Sequence, residues 1–133
     1  MEQIKITEKA PKTIFCDIDG TLVRHPNHDG KKRLHDIPKP SHKAEALPGT
    51  IEKLWDWEAK GYNIILTTGR KESMRRVTED QLIKIGIFWD HLIMGLGSGQ
   101  RYLINDLEPG TEASTANGIN LERDAGIATI EEL

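Results

Sequence analysis

Asp17 and Asp19 stand one residue apart in the stretch Asp17-Ile18-Asp19-Gly20-Thr21, directly after the apolar run Thr13 to Cys16. A short apolar run that breaks at a glycine is the signature of a buried strand entering a turn. In open parallel sheets, ligands sit beyond such carboxyl ends of strands, so the two carboxylates share one mouth.

The elements that must position this pair alternate along the chain. Ile4 to Thr7 reads as a short edge strand and Thr13 to Cys16 as the first central strand. Pro48-Gly49-Thr50 signals a helix start, with Ile51, Leu54 and Trp55 at helical spacing before Lys60-Gly61 closes the helix. Asn63 to Thr67 supplies the next strand and ends in Thr68-Gly69-Arg70; a helix follows from about Glu72 to Ile85, stopped by Gly86. Met74, Val77 and Ile85 mark the expected buried side of that helix. His91 to Met94, Arg101 to Asn105 and Ala116 to Asn120 read as third, fourth and fifth strands, with a weak terminal helix over Asp124 to Leu133. This alternation predicts an α/β, Rossmann-like three-layer sandwich around a central, mostly parallel sheet of about five strands. Asp17, Thr68 and Asp106 then fall on one rim.

Three strand tips carrying Asp-x-Asp-Gly-Thr, Thr-Gly-Arg and Asn-Asp, in that order from about Thr13 to Asp106, resemble the haloacid dehalogenase (HAD) superfamily, whose members are mostly magnesium-dependent phosphatases. The resemblance implies that Asp17 is a nucleophile on phosphorus, forming an aspartyl-phosphate that water hydrolyses, and that Asp19 is the general acid and then base. It makes Asp17, the backbone carbonyl of Asp19 and Asp106 the protein ligands of an octahedral Mg²⁺, a donor set suited to a hard cation. By the same resemblance, the Thr68 hydroxyl and the adjacent Gly69 backbone N–H bind the transferring phosphoryl group, and Arg70 adds a charged clamp.

The pattern departs from the family in two places. Where compact members often carry Gly-Lys-Pro, this chain has Gly95-Leu-Gly-Ser-Gly-Gln-Arg101, so the cation of the third motif falls to Arg101 first and Lys84 second. The fourth motif is Asn105-Asp106, where many relatives place two acids.

Residues 22–47 form a flap or insert of about 26 residues, too short for a cap domain, so the resemblance implies an open site that admits a bulky substrate or is shielded by a neighbouring subunit in a homo-oligomer. Within it, Arg24 to Lys43 holds six Lys or Arg against two acids, and four of the five histidines: His25, His28, His35 and His42. Such a segment attracts anions or is a solvated loop. The histidines lack accompanying cysteines and regular spacing, so no zinc site is read from them.

Length and composition bound the rest. The 133 residues suffice for one domain, read here as a single unit over 1–133, and no apolar run approaches the roughly 18 residues of a membrane span. One cysteine, Cys16, cannot make an internal disulfide, and strand alternation turns it away from Asp17 into the packed sheet. The first residues lack an apolar leader, so a cytoplasmic location is the default expectation. A net charge of −3 disfavours a dedicated nucleic-acid binder. The expected function is therefore a Mg²⁺-dependent phosphomonoester hydrolase acting on a small phosphosugar or nucleotide. The alternatives are a phosphatase for nucleic-acid ends, since Ser/Thr-Gly-Arg also marks polynucleotide phosphatases, and a non-catalytic module that binds a phosphorylated ligand.

Overall fold

The computed structural model describes residues 10–26, 43–110 and 114–133. The expected edge strand at Ile4 to Thr7 and the histidines at 28, 35 and 42 lie outside them. Strand β1 (Thr13–Asp17) is followed by helix α1 (Thr50–Ala59), strand β2 (Asn63–Thr67), a short 3₁₀ turn at Glu72–Met74, helix α2 (Arg75–Ile85) and strand β3 (His91–Ile93). The three strands run parallel in the order β1-β2-β3. β1 and β2 are each followed by a helix that returns the chain to the next strand's start, which is the βαβ alternation expected.

Register aligns Cys16 with Leu66 and Leu66 with Leu92. These three side chains and Ile64 bury on one face against Leu54 and Trp57 of α1 and Leu82 of α2. The strand order never reverses, so both right-handed crossovers place their helices on that same face. On the other face Phe15 and Ile93 are 52% and 41% exposed. The described residues therefore form two layers, not three.

Several expectations are corrected here. The described residues hold three strands and not five: neither Arg101–Asn105 nor Ala116–Asn120 pairs into the sheet, and Tyr102, Leu103 and Ile104 stand exposed. In place of a terminal helix there is one 3₁₀ turn at Ile127–Thr129. On α1 the inward residues are Thr50, Leu54 and Trp57, while Trp55 is exposed against the ring of Phe88 at 4.7 Å. On α2 they are Thr78, Gln81 and Leu82, with Met74 and Ile85 only half-buried. Among the described residues no helix is long and apolar enough to cross a membrane.

Candidate active site

The turn after β1 decides where the acids go. Ile18 is fully buried, and its carbonyl accepts the amides of Thr21, Leu22 and Val23 at 3.2, 2.9 and 3.2 Å. Gly20 sits at φ +82°, a conformation that disfavours a side chain, and its amide donates to Val23 O at 2.7 Å. With Ile18 folded inward, Asp17 and Asp19 both remain at the sheet's carboxyl rim. The Thr50 hydroxyl donates to Leu22 O at 2.9 Å, tying the start of α1 to the same turn. Farther out, Arg24 N donates to Glu45 O at 2.8 Å and Leu47 N to Leu22 O at 2.9 Å. The insert therefore leaves and re-enters side by side.

Asp17 pairs in register with Thr67 at the tip of β2, placing it one strand away from the Thr68 loop. Crowding at the rim desolvates its carboxyl and pushes its pKa above the ordinary 3.8; the Ile18 amide opposes this, Asp19 adds to it, and Arg101 and His25 oppose it. Cys16, on the buried face, has its thiol pushed up to about 12 by burial and then by the neighbouring Asp17 charge, so it stays protonated and unreactive.

Arg70 is where the structure departs most from the reading of a phosphate clamp. Its side chain is 2% exposed. Nε and Nη2 donate to Asp19 Oδ2 and Oδ1 at 2.8 and 2.7 Å, and Nη1 donates to Thr78 Oγ1 and Gln81 Oε1 at 3.1 and 3.0 Å. The guanidinium is thus turned to Asp19 and to α2. A planar fork matched to a carboxylate fixes both position and orientation, so Arg70 holds Asp19 at the rim. Sequence reasoning missed Thr78 and Gln81. Their signal was two polar residues at helical spacing beside Leu82, on the side of α2 that faces the sheet.

The loop Thr68-Gly69-Arg70 is stitched to the segment after β3. Thr68 N donates to Ile93 O at 3.0 Å, Leu96 N to Thr68 O at 3.1 Å and Gly95 N to Arg70 O at 2.7 Å. The Thr68 hydroxyl is buried and accepts the Arg70 amide at 3.0 Å. A Cβ on Gly69 would lie 2.5 Å from Gly97 O, so this glycine permits close approach of the two loops. Arg101 donates to the carbonyls of Gly97, at 2.9 Å, and Gly99, and its charge reaches Asp17. Lys84 lies in the last turn of α2, which runs antiparallel to the strands and so ends at the opposite edge of the sheet from Asp17. Of the two candidates for the third-motif cation, Arg101 is the one whose charge reaches Asp17.

Asp106 is not brought to them. It lies on the exposed stretch 101–110, where Thr115 Oγ1 donates to its carbonyl at 2.9 Å, and among the described residues no three His, Cys, Asp or Glu converge as a cation cluster. Among the described residues Arg101–Asn105, expected as the strand that ends at Asp106, does not pair into the sheet. All three expected donors are oxygens, the set a hard divalent cation takes, and the structure gathers Asp17 and Asp19 of that set.

A family model described as HAD superfamily, subfamily IIIB (acid phosphatase), matches residues 1–102. The chain belongs to the HAD superfamily. The matched subfamily is described as one of acid phosphatases. Among solved structures, this HAD chain is similar to a chain of the Pnkp1/Rnl/Hen1 complex, at 28% identity and a TM-score of 0.52 over 69% of its own length and 30% of the other's. A second structure, of the Pnkp1/Rnl/Hen1 RNA repair complex, gives 28% identity and a TM-score of 0.51 over 71% and 28%. The HAD chain thus spans less than a third of the length of the chains it matches there. A crystal structure from Vibrio cholerae, at 18% identity and a TM-score of 0.46, covers 71% of this chain and 79% of that one and is too distant to carry argument. No curated protein is detectably similar.

Proposed function

We propose that the chain hydrolyses phosphomonoesters through an aspartyl-phosphate on Asp17. The observation that carries this reading is the pairing, on one turn, of an exposed Asp17 with an Asp19 held rigidly by the Arg70 fork. Asp17 attacks phosphorus and the bond to the leaving oxygen breaks. Asp19, which must take up a proton in the substrate complex with the Arg70 fork loosened to one of its oxygens, delivers that proton to the leaving oxygen. Water then attacks the phosphoaspartate with Asp19 accepting its proton, which releases inorganic phosphate and restores Asp17. The Gly69 N–H and the Arg101 guanidinium are assigned to the phosphoryl oxygens, where donors are most useful as charge develops. Mg²⁺ would be held by the Asp17 carboxylate, the Asp19 carbonyl and the Asp106 carboxylate, and supplies charge neutralisation at phosphorus. For Asp106 to join them, Arg101–Asn105 must pair along the outer edge of β1. The support is that no described strand occupies that edge and that Tyr102, Leu103 and Ile104 are apolar and exposed.

Of the substrate classes, nucleic-acid ends are favoured over the small phosphosugar or nucleotide that the net charge suggested. The support is the 28% identity to structures of an RNA repair complex, together with the basic residues of the insert, which suit a polyanion. The test compares p-nitrophenyl phosphate, a sugar phosphate, a mononucleotide and oligonucleotides bearing a terminal phosphate, with Mg²⁺ and with chelator, beside Asp17→Asn. Metal-dependent release fastest from the oligonucleotide is the expected result. A preference for the sugar phosphate overturns the substrate assignment, and no release above the Asp17→Asn background leaves a phospholigand-binding module.

A further inference from the structure

The matched family region ends at residue 102, yet a segment beyond it reaches back to the acidic turn. Asp124 N donates to Gly20 O at 2.8 Å, and Asp124 Oδ1 accepts the His25 amide at 2.8 Å. One residue thereby closes both ends of the stretch Gly20 to His25, which begins directly after Asp19. Gly20 is enclosed from two sides: a Cβ built there would lie 3.3 Å from Arg123 Cγ and 3.4 Å from His25 Cδ2.

The segment is anchored independently of that contact. Ile127 is 1% exposed within the main core, Leu121 and Ile130 pack against it, and Lys53 Nζ on α1 donates to the carbonyl of Ile130. Asp124 itself sits at φ +65°, and among the described residues it is the non-glycine with a positive φ. Such a backbone is unfavourable for a residue with a side chain and persists when surrounding contacts over-determine it. Those contacts are the two hydrogen bonds to the turn.

We propose that residues 121–130 form a strap across the acidic turn and that Asp124 is a positioning residue, fixing Gly20 and His25 so that Asp17 and Asp19 keep their relative placement. His25, which the strap holds, lies close enough to Asp17 to influence it electrostatically. Asp124 acts through the turn and has no role in bond making.

The test uses the full chain with Asp124→Asn and Asp124→Gly. Asparagine keeps an Oδ1 acceptor and tolerates the left-handed backbone; glycine fits that backbone and keeps the N–H to Gly20 O but removes the acceptor. Hydrogen exchange at the His25 amide is measured first. Native and Asp124→Asn are expected to protect it alike, and Asp124→Gly to lose about tenfold in protection, the size of one net hydrogen bond, with the global unfolding midpoint kept. Equal protection in all three overturns the proposal. The second reading rests on the phosphatase function: kcat on p-nitrophenyl phosphate should fall about tenfold in Asp124→Gly with KM changed less than threefold, and be restored in Asp124→Asn. An unchanged kcat in Asp124→Gly, despite lost protection, overturns the positioning role. If the native chain shows no turnover, the function proposal fails and the exchange result alone decides the strap.

Discussion

Replacing Arg70 tests the central contact of the site on its own terms, without assuming turnover. Arg70→Met keeps the apolar stem and deletes the charge, leaving the Thr78 hydroxyl and Gln81 carbonyl buried without their donor and the Asp19 carboxylate without its partner. Two buried acceptors at about 1–3 kcal/mol each would give about 2–6 kcal/mol, to which the lost ion pair adds. The Asp19 side chain is 16% exposed and regains some water, so the lower part of that range, about 3 kcal/mol, is expected. Asp19→Asn is expected to cost a similar amount, because it strands a guanidinium that is 2% exposed.

The decisive measurement is the double-variant cycle. Arg70→Met with Asp19→Asn leaves neither charge unpaired, so its cost should fall short of the sum of the singles by about 2 kcal/mol, within the range for residues sharing one network. Urea unfolding at neutral pH with chelator present gives each midpoint; at an m-value of about 2 kcal/mol/M, a 3 kcal/mol loss lowers it by about 1.5 M. Arg70→Lys keeps the charge without the planar fork and should fall between native and Arg70→Met. Costs that add to within about 0.5 kcal/mol would mean that guanidinium and carboxylate do not meet, and the assignment of Arg70 as the holder of Asp19 would fall.

Asp17→Asn should be more stable than the native chain at pH 7 in chelator: the native pKa is raised above 3.8, so stability tied to protonated Asp17 is present in acid and lost as pH rises through the raised value, and the gap between the two proteins should close towards pH 3. Gly69→Ala drives a methyl to within 2.5 Å of a backbone oxygen that cannot swing aside, so thermal unfolding should show a loss of about 1–3 kcal/mol from parting the Thr68 and Gly97 loops. Arg101→Ala should raise KM for p-nitrophenyl phosphate several-fold while Lys84→Ala stays within about twofold of native; the reverse order would return the third-motif role to Lys84.

How much of this was legible in the chain depended on the range of the interaction. Thr50–Ala59, Asn63–Thr67 and Arg75–Ile85 were all readable, because periodicity and glycine stops report local preference. The inward burial of Cys16 followed from alternation alone. Arg70 was read as a phosphate clamp, but its partner Asp19 lies 51 positions away, and no spacing rule assigns a fork to a carboxylate over that distance. The Asp124 to His25 bond spans 99 positions and was illegible for the same reason. The reading of α2 was incomplete. Met74, Val77 and Ile85 were read as its buried side and are half-buried, while Thr78 and Gln81, which an apolar pattern does not mark, turn inward because a buried cation needs acceptors there.

The same logic bears on Arg101–Asn105, where an apolar run was read as a strand and stands exposed. A strand is favoured by its pattern only as far as it finds a neighbour, since an unpaired extended segment buries nothing and satisfies no ladder. Two features ask for the same remedy: an outer β1 edge that no described strand occupies, and three consecutive exposed apolar side chains at Tyr102, Leu103 and Ile104. Pairing them would bury those side chains and move Asp106 towards Asp17 together, which couples cation binding to sheet completion. Mg²⁺ should then protect the amides of residues 102–105 from hydrogen exchange, with Asp106→Asn abolishing that protection. Protection unchanged by Mg²⁺ in the native chain would separate the two events and remove Asp106 from the proposed ligand set.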